Sequence, residues 1–62
     1  MLKNISNEDI VVNAGANIGI FTVLASSLAK QVIAFEPDIA NLRILRENLE
    51  LNKIKNVTVI SR

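Results

Sequence analysis

The sequence predicts an α/β fold in which three parallel strands alternate with two helices in the order β, α, β, α, β. Two observations lead to this fold. Three short apolar runs are bounded by turn residues, and two segments between them carry apolar residues at helical spacing. Strands that alternate with helices of this length pair in parallel through right-handed crossovers, which gives the spatial order 3-2-1. The predicted architecture is half of a doubly wound, Rossmann-like sheet.

The three strand segments are apolar and rich in β-branched residues, as buried parallel strands are. The first, Ile10–Val12, ends in a turn over residues 13–15. The second, Val32–Phe35, is closed just before Pro37, because proline cannot donate to a strand ladder and holds its predecessor extended. The third is Val57–Ile60, near the end of the sequence.

Apolar residues at intervals of three and four predict a helix after each of the first two strands. The first helix is expected to run from Ile18 to about Ala29, and the second to begin after the N-cap Asp38 and end near Asn52. The apolar face of the first helix consists of Ile18, Phe21, Leu24, Ala25 and Leu28. That of the second consists of Leu42, Leu45 and Leu49.

The composition restricts both the domain organisation and the chemistry. A usual domain has about 100 to 150 residues, so residues 1–62 are expected to form a single partial domain. Cysteine and histidine are absent, which excludes disulfides, thiolate nucleophiles, zinc-finger spacings and imidazole bases. Scattered Lys and Arg, a net charge of +1 and the lack of Trp and Tyr predict no nucleic-acid partner.

The stretch from Ile10 to Ala29 carries no charge, but we do not expect it to span a membrane. Glycine, asparagine, serine and threonine interrupt it repeatedly and lower its hydrophobicity below that of a lipid-facing helix. Glu8 and Asp9 precede it where a secretory signal carries basic residues. The sequence therefore predicts a cytoplasmic protein with no membrane partner.

A strand-to-helix turn with two glycines is the first candidate ligand site. It runs from Asn13 to Gly19 and brings backbone N–H groups close to a bound molecule. Tight packing alone would also need small residues here, so the glycines by themselves leave both interpretations open. Glu36 is the second feature, a carboxylate 21 residues after Gly15. Nucleotide-binding βαβ units hold the ribose with an acidic residue at an offset of about 20, so the two features together favour a nucleotide site over a solvated charge.

Three motifs follow one another along the chain. They are the Gly-Ala-Asn-Ile-Gly loop within Val11–Gly19, the Phe-Glu-Pro step within Ile33–Pro37, and a helix with two asparagines over Leu42–Asn52. In this combination they resemble S-adenosylmethionine-dependent methyltransferases of the FkbM type. The resemblance runs from about Ile10 to Ile60 and covers only the first part of the family's domain.

This resemblance implies methyl transfer from S-adenosylmethionine to an oxygen of a small molecule or sugar. It places the loop against the methionine part of the cofactor and Glu36 at the ribose. Asn48 and Asn52 are interpreted as structural residues that bond to backbone near the helix end and the next turn. No catalytic residue and no metal ligand is assigned. The residues assigned to cofactor binding are Asn13, Gly15, Ala16, Asn17, Gly19 and Glu36.

Asn13 departs from the family pattern, which usually has aspartate at this position. If that aspartate orients the cationic methionine end, the uncharged amide should weaken binding by about 1 to 3 kcal/mol. A nicotinamide dinucleotide site ranks lower, since its G-x-G-x-x-G pattern requires a glycine where Asn17 stands.

The predicted sheet leaves one edge of the first strand unpaired, which invites association. A core of this size supplies no more than about 3 to 5 kcal/mol. We therefore expect the chain to be inactive alone and to self-associate or to depend on a complementing C-terminal segment. Two alternatives stay open: a non-catalytic nucleotide-binding module, and a residual fragment or interaction peptide with no ligand.

Overall fold

The computed structural model describes residues 4–62 and has the βαβαβ order that the sequence predicts. The central strand β2 pairs in parallel with β1 on one side and β3 on the other, so the order 3-2-1 is confirmed. The elements are β1 (Ile10–Ala14), α1 (Ile20–Ser26), β2 (Gln31–Phe35), α2 (Ile39–Leu51) and β3 (Val57–Ile60).

Both helices lie on the same face of the sheet. Val32 and Ala34 alternate along β2 with less buried neighbours and are fully buried. Val32 lies in one core cluster with Ala25 of α1, and Ala34 lies in a second cluster with Leu45 of α2. Two right-handed crossovers that progress in the same direction place both helices on one side, as observed.

The opposite face of the sheet is uncovered in the described part of the chain. Ile10 and Val12 of β1 are 58% and 61% exposed. Parallel sheets carry helices on both faces, so an apolar surface of this kind is typical of a sheet that packs against further structure. The register aligns on this face Ile10, Val12 and Ala14 of β1, Gln31, Ile33 and Phe35 of β2, and Thr58 and Ile60 of β3.

The apolar face predicted for α1 is correct at Phe21 and Ala25, which pack in one core cluster, but wrong at its other large residues. Thr22 and Ala25 are fully buried, whereas Leu24 is 49% exposed and Leu28 and Ile18 are each 38% exposed. The small side chains of Thr22 and Ala25 let the helix lie close to the sheet, while Leu24 is left half exposed. The hydrophobic periodicity identified the helix but only part of the face that packs.

The helix α1 is also shorter than predicted, since it begins at Ile20 and ends at Ser26. Gly19 precedes the helix with a φ of 95°, in the left-handed region. A right-handed helix cannot include a residue in this conformation, so α1 begins only after Gly19. At the other end, the hydroxyls of Ser26 and Ser27 each donate to a carbonyl three residues earlier, at 2.7 Å. Such side-chain bonds compete with the helical ladder and favour helix ends.

The helix α2 agrees with the prediction at both ends and along its face. The Asp38 carboxylate accepts the N–H of Asn41 at 3.0 Å, as an N-cap does. Leu42, Leu45 and Leu49 are the buried residues of this helix.

Within residues 4–62, neither α1 nor α2 has the length and hydrophobicity that a membrane-spanning helix needs.

Candidate functional site

The loop between β1 and α1 lies beside the residue that follows β2. Parallel strands bring their carboxyl ends to one edge of the sheet, and the register pairs Ala14 with Phe35 there. Two residues after Ala14, the N–H of Ala16 donates to the carbonyl of the same Phe35 at 2.9 Å. The structure thus brings together the two predicted features, the glycine turn and Glu36.

Glu36 is buried, with 3% of its surface exposed. Its Oε1 accepts the backbone N–H of Asn17 at 2.5 Å, and its Oε2 accepts the backbone N–H of Asp38 at 3.0 Å. The side-chain amide of Asn41 also donates to Oε2, at 3.4 Å. Glutamate is seldom buried without such partners. The interpretation of Glu36 as a solvated charge is therefore wrong, because the carboxylate organises two loops and the start of α2.

These donors lower the pKa of Glu36 below its ordinary value of 4.5. The largest cause is the bond from the backbone N–H of Asp38, followed by that from Asn17, and the Asn41 amide acts in the same direction. Burial and the Asp38 carboxylate oppose the shift. The side chain is ionised at neutral pH, so a fixed negative charge lies against the candidate loop.

Three residues of the loop have a positive φ: Gly15 at 71°, Asn17 at 55° and Gly19 at 95°. Asparagine tolerates this left-handed region better than most non-glycine residues. A Cβ at Gly19 would collide with Cδ1 of Leu45, whereas a Cβ at Gly15 would meet open space. Gly19 is therefore required for packing against α2, while the space beside Gly15 is open.

Asn13 and Ala16, both assigned to cofactor binding from the sequence, have different surroundings in the structure. Asn13 is half-buried at the end of β1, its Nδ2 donates to Oγ1 of the buried Thr22 at 2.9 Å, and it lines a small open cavity with residues 15–21. Ala16 is 5% exposed and packs in the core cluster with Leu45. Its part in cofactor binding stays a prediction, and its observed contacts are those of a packing residue.

Three asparagine side chains bond to backbone carbonyls and hold the loops together. Asn52 bonds to the carbonyl of Asn48 at 2.7 Å, as predicted for the helix end. Asn48 was expected there too, but it reaches instead to the carbonyl of Ile18, at 2.6 Å. Asn56, which sequence reasoning missed, donates to the carbonyl of Ser26 at 2.9 Å and ties the start of β3 to the end of α1.

Curated proteins that are similar to this chain in sequence are methyltransferases. No family model matches the chain. The ribosomal protein L11 methyltransferase of Acetivibrio thermocellus is 42% identical over 50 residues, which are 79% of this chain and 16% of the relative. The ribosomal RNA small subunit methyltransferase A of Desulforapulum autotrophicum is 37% identical over 57 residues, which are 92% of this chain and 20% of that protein.

Solved structures give the same class. A Streptococcus mutans protein described as a methyltransferase, crystallised in complex with SAH, matches with a TM-score of 0.94 and 36% identity over 98% of this chain. The fold is that of a methyltransferase. An rRNA methylase from Streptococcus thermophilus matches with a TM-score of 0.92 and 28% identity, again over 98% of this chain.

The matched region is a minor part of each methyltransferase. It is 35% of the S. mutans chain and 37% of the S. thermophilus chain. The sequence and structure matches support the S-adenosylmethionine-dependent methyltransferase class that the sequence predicts. The FkbM type stays a prediction. The exclusion of a nucleic-acid partner also stays a prediction, since some of these methyltransferases are rRNA enzymes by name.

Proposed function

We propose that this chain forms the cofactor-binding part of an S-adenosylmethionine-dependent methyltransferase. The observation that carries the proposal is the bond between the Glu36 carboxylate and the N–H of Asn17, which joins the acidic residue after β2 to the glycine loop after β1. Open α/β sheets bind their ligands at this carboxyl edge. The methyltransferase relatives, and SAH in the complex of the S. mutans protein, support this choice of cofactor.

In this proposal the methionine part of the cofactor lies along Gly15, Asn17 and Gly19, next to Asn13, and the ribose lies at Glu36. An ionised carboxylate offers about four acceptor positions. Three donors already occupy the Glu36 carboxylate. About one position is left for a ribose hydroxyl, so Glu36 would serve the loop and the ligand at the same time.

Titration of the full chain with S-adenosylhomocysteine, followed by two-dimensional amide NMR, tests this function. We expect S-adenosylhomocysteine to shift the signals of Gly15, Asn17, Gly19 and Glu36. Adenosine keeps the ribose but lacks the methionine part, so it should shift Glu36 and have a much smaller effect on the three loop residues. The oxidised nicotinamide dinucleotide is the matched control for the lower-ranked site and should leave the loop signals in place. Loop signals that ignore S-adenosylhomocysteine, or that respond equally to the dinucleotide, would refute the proposal.

We further propose that the complete enzyme is of the FkbM type and methylates an oxygen of a small molecule or sugar. The order of the three motifs within Val11–Gly19, Ile33–Pro37 and Leu42–Asn52 supports this acceptor. The names of the relatives support a second candidate, a ribosomal component, since they act on ribosomal protein L11 and on ribosomal RNA.

We also propose that methyl transfer requires a complementing α/β segment that packs on the uncovered face and edge of β1. The complete enzyme is proposed to act in the cytoplasm. The exposed Ile10 and Val12 support such a segment, because their burial would be favourable. The assay mixes the chain with the part of the S. mutans protein that lies outside the match, and supplies methyl-labelled S-adenosylmethionine. Label in sugars or small hydroxyl compounds is expected, whereas label in ribosomal subunits would select the second candidate.

A further inference from the structure

The helix α2 supports the loop between β1 and α1 through three residues on one face. Leu45, Asn48 and Leu49 lie three and four positions apart, so their side chains share that face. Leu45 fills the space beside Gly19, where a glycine is required. Leu45 and Leu49 also belong to the core cluster that contains Ala16. The loop therefore lies on α2 rather than standing free.

Asn48 is the polar residue of this face, and it makes the directional contact. Its Nδ2 donates to the carbonyl of Ile18 at 2.6 Å, across 30 residues of sequence. The Asn48 side chain is half-buried, and Ile18 lies just before the first residue of α1. The bond therefore holds the last part of the loop before the helix begins.

A peptide unit is planar, so a bond to the Ile18 carbonyl also fixes the direction of the Gly19 N–H. That N–H donates to the carbonyl of Ala16 at 3.0 Å and closes the loop on itself. On the other side, the Glu36 carboxylate holds the N–H of Asn17. The loop is thus held from two directions, by Glu36 at one peptide and by Asn48 at another.

We propose that Asn48 is a positioning residue of the cofactor site, which keeps the Ile18–Gly19 peptide in the orientation that S-adenosylmethionine binding requires. The proposal rests on the proposed function. Asn48 does not need to touch the ligand, because it acts through the Ile18 carbonyl. Its effect on affinity should therefore accompany a change in the loop backbone.

Asn52 provides a matched control on the same helix. Its side chain also donates to a backbone carbonyl, that of Asn48, at 2.7 Å. It lies at the C-cap of α2, one turn beyond Asn48. Asn52→Ala therefore removes a comparable bond from the same helix without releasing the Ile18 carbonyl.

The experiment compares Asn48→Ala, Asn48→Gln and Asn52→Ala in the full chain. Calorimetry gives the Kd for S-adenosylhomocysteine, thermal unfolding gives Tm, and amide hydrogen exchange gives the protection of Gly19. We expect Asn48→Ala to weaken binding about 3- to 10-fold, as loss of one hydrogen bond does, and to speed exchange at Gly19. Asn48→Gln keeps a donor and should recover most of the affinity, and Asn52→Ala should leave Kd and Gly19 exchange unchanged.

An unchanged Kd in Asn48→Ala, or equal losses in Asn48→Ala and Asn52→Ala at equal Tm, would overturn the proposal. Should the wild-type chain not bind S-adenosylhomocysteine, the proposed function fails, and the exchange at Gly19 alone then decides whether Asn48 holds the loop. Faster exchange in Asn48→Ala than in Asn52→Ala supports that contact, and equal rates refute it. If Asn48→Ala does not fold, Asn48→Ser replaces it, since its hydroxyl is too short to reach Ile18.

Discussion

The carboxylate of Glu36 accepts the backbone N–H of Asn17 at 2.5 Å, a bond that joins two loops 19 residues apart in the chain. The loop that carries Asn17 contains the glycines of the candidate cofactor site. Its conformation therefore depends on a charge at the end of a different strand. Glu36 is therefore the first residue to substitute in a binding experiment.

Glu36→Gln should weaken S-adenosylhomocysteine binding about tenfold, since a charged acceptor with several donors is replaced by a neutral amide. The glutamine Nε2 is a donor and would face the backbone N–H of Asn17 or Asp38, which is also a donor. One of these two hydrogen bonds is therefore lost. Calorimetry measures the affinity. Glu50→Gln is the control, because Glu50 is an exposed carboxylate on α2. An equal affinity for Glu36→Gln and wild type would contradict the assigned role.

The stability of the chain should fall on acidification, and Glu36 should account for part of the loss. Its pKa in the folded chain lies below the ordinary value of 4.5, so folding favours the ionised form. This contribution is complete above the ordinary, unfolded pKa of 4.5 and is lost as the pH falls below it towards the lowered pKa. Urea unfolding followed by circular dichroism, from about pH 7 to pH 3, measures the slope. Glu36→Gln should show a shallower slope in the acid range, and identical slopes would count against the linkage.

The strands, α2 and the meeting of the glycine loop with Glu36 were predictable from the sequence. Alternation of short apolar runs with helical periodicity fixes the parallel order, and that order alone brings Asn17 and Glu36 to one edge. The buried stripe of α1 was not predictable, because Leu24 points away from a sheet that Thr22 and Ala25 approach closely. Here the packing distance, which periodicity does not encode, decides which face is buried.

The long-range side-chain bonds of Asn48 and Asn56 had no usable local signal, unlike the predicted bond of Asn52 at the helix end. Asn48 reaches Ile18 across 30 residues, and Asn56 reaches Ser26 across 30 residues. An asparagine is typical of turns and caps for local reasons. Nothing in its neighbours along the chain distinguishes a distant carbonyl partner from a nearby one, so only the folded structure identifies the pair.

Asn13→Asp should strengthen S-adenosylmethionine binding, on the order of tenfold, by adding a charge near the cationic methionine end. The contact with Thr22 can persist, because the Thr22 hydroxyl can donate to a carboxylate in place of accepting from the amide. Calorimetry with S-adenosylmethionine and with adenosine separates the two ends of the ligand. The gain should be absent for adenosine. A gain of the same size for both ligands would show that Asn13 does not face the methionine part.

Gly19→Ala should destabilise the chain more than Gly15→Ala, although both glycines have a positive φ. At Gly15 the new methyl group meets open space, so only the left-handed conformation is penalised, by about 1 to 2 kcal/mol. At Gly19 the methyl group would collide with Leu45, which is fully buried and has little room to move. Overpacking adds about 1 to 3 kcal/mol to the conformational cost.

Urea unfolding of the two variants and wild type measures this difference in the free energy of unfolding. Leu45→Ala provides the compensating test, since removal of the colliding side chain should reduce the additional cost of Gly19→Ala and leave that of Gly15→Ala unchanged. Contacting residues couple in a double-mutant cycle, whereas distant ones add. Equal costs for both glycines, or no coupling between positions 19 and 45, would mean that the loop does not lie on α2 as the structure shows.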